Sequence, residues 1–595
     1  MAVSPPPRIS PILVIVVVLC IGIVGGGIAR LVQRTVGDAP PSPTVTPSLA
    51  VPATPTLTAE PAVAPTMPAS TATAIPPVRP LSMDELVYAA DFDSVAIESF
   101  AGQAGGDLAT LKVNVAGRRY PFAVALLGQT LYYSVSPKII LALLEYQADL
   151  ITQPNQPDDR YRWAVGYYGD EGRFAGFGAQ IRWAVREMFY ARRDLRERPA
   201  LRYADGAIME APAYLSDAQY VLARILAPTI ASGRLEAALA QYQATYERLF
   251  GALPVDVAPY APPAPFLHRP LAQIMPVTSF FDHGGPFLTR NADDGVTTYW
   301  GHTETDMAFA YDGHDGWDYA AAPPDMALAA AAGTVVFAGI ADDNCDTLAV
   351  IVDHGNDVRT LYWHLSQIDV EVGQTVEIGA ELGVIGETGC AKGPHLHFGV
   401  QYRGVGIDPY GWCGSDADPW QTHPAGIRSV WLWADRPSPC APAPAGSVLV
   451  DSDGPGFAVN ELVPTAVASG VGNQSLFVAS QRGFDRLRSW RARPIGPIAM
   501  ARWYSDALQP GQYRVFVYVP YALSGLIDAD GVYYQVVHRD GVAERFVNMQ
   551  VVANEWVDLG TYWFDSRGEV ILPLRDAIGG RGVWADAVLW QPEAP

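Results

Sequence analysis

Five side chains suited to metal or acid–base chemistry fall in three short motifs near the middle of this chain. Gly313-His314-Asp315-Gly316-Trp317-Asp318 sets an imidazole and a carboxylate four residues apart between glycines. Leu361-Tyr362-Trp363-His364-Leu365 carries another imidazole. Gly393-Pro394-His395-Leu396-His397-Phe398 carries two more, two residues apart, in a segment that reads as a β-strand. Alternate strand residues share a face, so His395 and His397 address one surface. Two imidazoles and one carboxylate can hold zinc in a tetrahedron whose fourth position stays open to water, the pattern of catalytic rather than structural zinc. Any remaining imidazoles titrate near neutrality and suit proton transfer.

The order H-x-x-x-D, Y-x-H-L, G-P-H-L-H-F resembles the lysostaphin/LytM family of peptidoglycan metallopeptidases over roughly residues 275 to 410. The intervening segments agree: Ala332 to Gly339, Val352-Asp353-His354-Gly355, Val372 to Val376 and Gly383-Val384-Ile385-Gly386 fall where the family has its strands and turns. The resemblance implies that His314, Asp318 and His397 hold Zn2+, and that His364 and His395 are the catalytic, non-ligand histidines. It also implies an all-β antiparallel zinc peptidase domain with a groove, cleaving peptide bonds of peptidoglycan in a stem or cross-bridge. None of the five positions is substituted, which weighs against the family's degenerate members, non-catalytic wall-binding scaffolds and amidase activators. Which histidine moves the proton and which steadies the oxyanion stays open. Thr360, Tyr362 and His364 alternate on one strand face, which puts Tyr362 either beside the site or in the core behind it.

The rest of the chain must position and deliver this site. At 595 residues it is too long for one domain, and 49% hydrophobic content supplies several cores. A net charge of −22 disfavours nucleic acid, which needs a basic footprint. Residues 1–34 hold a nearly uniform apolar run from Ile9 to Ala29, long enough for a single transmembrane helix, although Gly27-Ile28-Ala29 would also serve as a cleavage site. Anchored in the membrane or secreted after cleavage, the catalytic domain is expected outside the cytoplasm. Residues 35–80 alternate Pro, Thr, Ala and Ser, a composition that gives an extended spacer and no core.

Residues 81–255 read as a mainly-α domain. Ser136-Pro137 has the form of an N-cap followed by Pro at the first helical position, with Ile139, Ile140, Leu143 and Leu144 at helical spacing. Ser216 to Gln219 is a capping-box pattern. The stretch Ser136 to Gln147 is similar to the first helix of lysozyme-like transglycosylases. The position of that family's acid is occupied by Gln147, which cannot donate the proton glycoside cleavage needs. Glu145 lies on another helical face, and the domain reads as non-catalytic.

A Pro/Ala-rich run at 256–265 separates this domain from the peptidase at 266–425. Beyond a second Pro-rich linker, residues 445–593 alternate aromatic and β-branched residues between turns, as in Tyr513 to Val519, which implies a C-terminal β-sandwich. Val450-Asp451-Ser452-Asp453, Trp503, Trp556 to Gly560 and Ala585 to Val588 resemble the golvesin/xanthan-lyase C-terminal domain. Aromatics exposed there would stack on sugar rings, giving a glycan partner besides peptidoglycan. Of five cysteines, Cys20 lies in the apolar run, and the other four fit an oxidising compartment. Of the three possible connectivities, Cys345–Cys390 with Cys413–Cys440 is favoured. His302 reads as a polar loop residue at the groove rim, His354 and His538 as structural, and Asp315 as a solvated carboxylate that is not a ligand.

Overall fold

The computed structural model describes residues 80–87, 92–115, 117–251, 261–285, 295–301, 303–304, 313–341, 345–423, 426–452, 454–461, 477–479, 489–492, 499–520, 531–552, 555–573 and 583–593. The apolar run at Ile9–Ala29, the spacer after it and His302 lie outside these. Among the described residues no helix is long and apolar enough to cross a membrane.

The helical segment is built from α1 (Ser94–Ala104), α2 (Phe122–Tyr132), α3 (Pro137–Ala148), α4 (Phe177–Arg193), α5 (Asp217–Leu226) and α6 (Leu235–Phe250). Helix α3 starts at Ser136 with Pro137 in its first turn. Every side chain from Ile139 to Leu144 is fully buried, so α3 runs through the middle of the bundle. The capping box at Ser216 forms: Gln219 N–H donates to Ser216 Oγ at 3.2 Å, and Ser216 N–H to Gln219 Oε1 at 3.0 Å. Such a cap contributes about 1 kcal/mol to helix stability.

The following segment is an antiparallel β structure. Its strands are β1 (Val277–Ser279), β2 (Trp317–Tyr319), β3 (Met326–Leu328), β4 (Gly333–Ile340), β5 (Leu348–Asp353), β6 (Val358–Trp363), β7 (Leu365–Ile368), β8 (Thr375–Val376), β9 (Glu381–Ile385), β10 (Leu396–Tyr402) and β11 (Val405–Gly406). The main sheet runs β8-β4-β5-β6-β10-β2-β1, with β11 on β10, and a small sheet runs β7-β9-β3. Central strands β6 and β10 are buried at every residue, so both faces are covered. Tyr362, Phe398 and Val400 face a core within this domain.

On the opposite face, Leu361 and Trp363 share a core with the helices. Tyr132 stacks on Trp363 with ring centroids 4.7 Å apart, and Gln401 donates to Ser134 Oγ at 3.1 Å. Gly128 lets α2 approach the sheet: a Cβ there would sit 2.7 Å from the Ile340 carbonyl oxygen. The helical segment and the main sheet therefore share one core across the Pro/Ala run that reads as a boundary. At the other end the chain stays with the β domain to Arg436, where Leu267 bridges Trp433 and both are buried.

The C-terminal segment pairs a four-stranded sheet (Val448–Val450, Val588–Pro592, Gly511–Val519, Glu555–Phe564) with a five-stranded one (Phe457–Glu461, Ala499–Ser505, Gly568–Pro573, Val532–His538, Gly541–Val547). Val515, Val517, Tyr534, Val536, Val570 and Trp590 from the two sheets meet in one core, which makes a sandwich. Both expected disulfides are present, each with Cα atoms 5.1 Å apart.

Candidate metal centre

Strand pairing places the centre. Strand β10 lies between β6 and β2, with His397 opposite Trp363 on one side and Asp318 on the other. His314 sits just ahead of β2. Its Nδ1–H donates to the Phe280 carbonyl at 2.9 Å, which turns Nε2 inward. Nε2 then lies 3.1 Å from Asp318 Oδ1 and 2.9 Å from His397 Nδ1, and His397 Nδ1 lies 3.0 Å from the same Asp318 oxygen. Three donor atoms of the right chemistry thus converge on one point. Their separations are close to the roughly 3.3 Å edge of a tetrahedron with zinc–nitrogen bonds of about 2.0–2.1 Å. They are the one such group found among the described residues.

The glycines have a spatial role here. A Cβ on Gly316 would lie 2.7 Å from His397 Cε1 and 2.8 Å from its Nε2, so a side chain at this position between His314 and Asp318 must be absent. Without a metal, burial disfavours the His314 imidazolium, but the carboxylates of Asp318 and Asp315 more than offset this and push its pKa up to about 9. Asp318, despite burial, is held well below the usual carboxylate range by His314 and His397. A metal cation would displace the proton, since ligand imidazoles bind metal in the neutral form.

His364 and His395 stand beside the cluster, their ring centroids 4.6 Å apart. His364 Nδ1–H donates to the Thr388 carbonyl at 2.7 Å, and His395 Nδ1–H to the Gly393 carbonyl at 2.8 Å. Each thus commits Nδ1–H to a backbone carbonyl and leaves Nε2 as the ring nitrogen available for proton transfer. His395 Nε2 lies 3.7 Å from Asp318 Oδ2. Burial, reinforced by His397 and His395, lowers the His364 pKa to about 4 and keeps it neutral.

Strand alternation fails at His364. The expected face shared by Thr360, Tyr362 and His364 holds for the first two only. Tyr362 is fully buried in the core, and its hydroxyl accepts from Ala330 N–H and from Thr360 Oγ1. His364 takes φ +67°, the left-handed region, which ends β6 and swings the ring toward the cluster. A bulky side chain in that region marks a constrained position, as functional sites often hold.

The other histidines and Asp315 behave as structural or peripheral groups. His354 bonds the Ala332 carbonyl and Thr360 Oγ1, and His538 stacks on Tyr562. Asp315 has a half-exposed side chain with Oδ1 3.7 Å from His397 Nε2. A hollow beside the His-Asp-His cluster is lined by Tyr132 of α2 with Asp315, Leu361, Trp363, His397 and Gln401, so the helical segment forms part of its wall.

Two buried residues around the centre have no sequence signature. Asp282 bonds the backbone on either side of His314. His283 lies between Asp418 (2.8 Å from Nδ1) and Asp408 (3.1 Å from Nε2), and Asp408 also accepts the Trp317 indole N–H at 3.0 Å. Their partners lie far along the chain, where no local spacing reveals them.

Residues 312–409 match the family model Peptidase family M23. The chain carries a peptidase M23 domain. Residues 79–258 match the LasA N-terminal domain, and residues 488–591 the Golvesin C-terminal domain. Among characterised proteins, the chain is similar to protease LasA of Pseudomonas aeruginosa, with 26% identity over 310 residues, 47% of this chain and 66% of LasA. It is 38% identical over 96 residues to the DD-carboxypeptidase/endopeptidase Mpg of Neisseria meningitidis, 16% of this chain and 22% of Mpg. Over 55 residues, 9% of this chain, it is 47% identical to 13% of the peptidoglycan DD-endopeptidase ShyA of Vibrio cholerae. The chain spans about two thirds of LasA and under a quarter of the other two. Among solved structures, the catalytic domain of lysostaphin from Staphylococcus simulans is 30% identical over 16% of this chain and 78% of that one, with a TM-score of 0.15.

Proposed function

We propose that this chain is a zinc-dependent endopeptidase that hydrolyses peptide bonds of peptidoglycan and so remodels cell wall. The observation that carries the reading is the convergence of His314 Nε2, Asp318 Oδ1 and His397 Nδ1 beside His364 and His395, whose ring centroids lie 4.6 Å apart. The matching peptidase model and the endopeptidase relatives support it.

In this reading His314, Asp318 and His397 hold zinc. Bound there, zinc would make a water acidic near neutral pH and polarise the scissile carbonyl. His364 and His395 supply the proton chemistry. With Nδ1–H committed to a carbonyl, each offers Nε2 to accept the water's proton, carry it to the leaving amine, or, once protonated, to hydrogen-bond the oxyanion.

The apolar segment Ile9–Ala29 would hold the enzyme on the outer side of the membrane, or free it if cleaved. Tyr533, Phe546 and Trp563 are exposed on the C-terminal sandwich and would offer ring faces to a glycan. The helical segment is read as non-catalytic. Although burial alone would raise the Glu145 pKa, Thr152 and Arg248 hold it low, and its carboxylate is committed to Ile151 N–H, Thr152 and Arg248. Gln147 donates to Thr229 Oγ1 at 2.9 Å. An ionised, fully engaged Glu145 is a poor general acid.

Mass spectrometry of fragments released from purified peptidoglycan tests the reading. New free amines at a stem or cross-bridge, abolished by chelation and restored by zinc, are expected. Intact cross-links after incubation with the zinc-loaded chain would refute it.

A further inference from the structure

We infer that Asp282 is a positioning residue for the metal centre, holding the loop that presents His314. The inference rests on the metal reading above and adds a residue outside the ligand set. His314 precedes β2 and belongs to no strand, so no ladder fixes its backbone. The fixing comes from the side. Asp282 is 1% exposed, and its Oδ2 accepts the Gly313 N–H at 2.9 Å. Its own N–H donates to the His314 carbonyl at 2.8 Å. Asp282 thus bonds the backbone on both sides of the His314 α-carbon, at the Gly313 N–H and at the His314 carbonyl. Two positions earlier, the Phe280 carbonyl takes His314 Nδ1–H, so the short segment 280–282 sets both the backbone and the ring of this ligand.

The other carboxylate oxygen is engaged too. Oδ1 accepts Gly284 N–H at 2.8 Å and Thr297 N–H at 2.9 Å. A buried carboxylate is costly unless its lone pairs meet donors. Here three backbone N–H groups meet it, and none carries a competing negative charge. The Gly284 contact alone is the local bond any Asp makes in a turn. The Gly313 bond reaches 31 residues along the chain to the residue before a ligand, and a turn does not require it.

This geometry predicts an asymmetric response to Asp282→Asn. The amide oxygen will stay with the two donors at Gly284 and Thr297, and its NH2 group will then face the Gly313 N–H, donor against donor. Gly313 and His314 must move away while the turn survives. Loss of an outer partner of a metal ligand typically weakens metal affinity by about 10–100-fold.

The test uses the full purified chain, with zinc affinity read by chelator competition and geometry by the visible spectrum of the cobalt(II)-substituted protein. Asp353→Asn is the control. Asp353 likewise accepts a turn N–H, from Gly355 at 2.8 Å, plus Arg359 Nε at 3.0 Å, and it touches none of the three ligands. Asp282→Asn should weaken zinc binding by about 10–100-fold and alter the cobalt spectrum, with Asp353→Asn matching wild type in both. Should the amide variant not fold, Asp282→Glu keeps the charge and both oxygens one methylene further out, and it should show the same loss to a smaller degree. Wild-type zinc affinity and cobalt spectrum in a folded Asp282 variant would overturn the inference while leaving the metal reading standing. A wild-type chain that takes up no zinc would overturn both.

Discussion

Gly316→Ala adds one methyl group where the structure has no room. The new Cβ would stand 2.7 Å from His397 Cε1, 2.8 Å from His397 Nε2 and 2.8 Å from the Phe398 carbonyl oxygen. Ordinary contact begins near 3.4 Å, so something must move by about 0.6–0.7 Å. The Phe398 carbonyl belongs to the buried centre of β10 and resists, which leaves the His397 ring and the Gly316 loop to yield. Both are attached to positions of the His-Asp-His cluster. A site of this kind tolerates about 0.5 Å of misplacement, and 1 Å can cost about 100-fold in rate. Gly316→Ala should therefore weaken zinc binding by about tenfold or more, and lower kcat by about 10–100-fold even at saturating zinc. Its expected overall stability loss, about 1–3 kcal/mol for overpacking, leaves a folded protein to assay. Chelator competition and turnover of a cross-linked muropeptide read the two effects. Wild-type zinc affinity together with wild-type kcat would refute the reasoning, since it would mean that His397 is not held where the added carbon falls.

Two further outcomes follow from buried charge. Burial opposes a charged His283, but Asp408 and Asp418 more than offset it and push its pKa up to about 9. A pKa raised from 6.5 in the folded state gives stability that is fully present below about pH 6.5 and fades as pH rises through about 9, on the order of 3 kcal/mol. Denaturant unfolding at pH 6.5 and 9.5 should show this loss in wild type and a clearly smaller one in His283→Gln; equal losses would contradict it. Glu555 of the C-terminal sandwich is buried against the peptidase domain, where it meets Arg269, Tyr410 and, at 4.0 Å, Arg436. Glu555→Ala removes the carboxylate partner of partly buried Arg269 and leaves buried Arg436 with Asp435 alone, and it should cost about 3–5 kcal/mol, with faster hydrogen exchange in 408–411; a change under about 0.5 kcal/mol would show that the charge is solvated in solution.

The convergence of His314, Asp318 and His397 was legible because their residue types and spacing suit a metal, and the Ser216 capping box was legible because its partners lie three residues apart. The paired cysteines were legible from compartment and placement. Alternation misled at His364, because a single left-handed residue reverses the side-chain direction that period-two counting assumes. Asp282 and His283 were invisible because their partners are as far away as Gly313, Asp408 and Asp418. The shared core of the helices and the sheet had a signal that went unused: Val358 to Trp363 carries no clean polar face, as expected of a strand covered on both sides. Proline-rich composition does not by itself mark a break in the core.

Zinc content measured beside turnover across five alanine variants tests the central claim most directly. Each of His314→Ala, Asp318→Ala and His397→Ala removes one of three protein ligands and should lose zinc and activity together. His364→Ala should retain near-stoichiometric zinc and lose roughly 100-fold or more in rate, the scale of a positioned acid–base or oxyanion group. His395→Ala should follow His364→Ala, with some loss of zinc through its neighbour His397. Normal hydrolysis by His364→Ala would contradict the proposed proton chemistry, and full zinc occupancy in any of the three ligand variants would contradict the proposed metal centre.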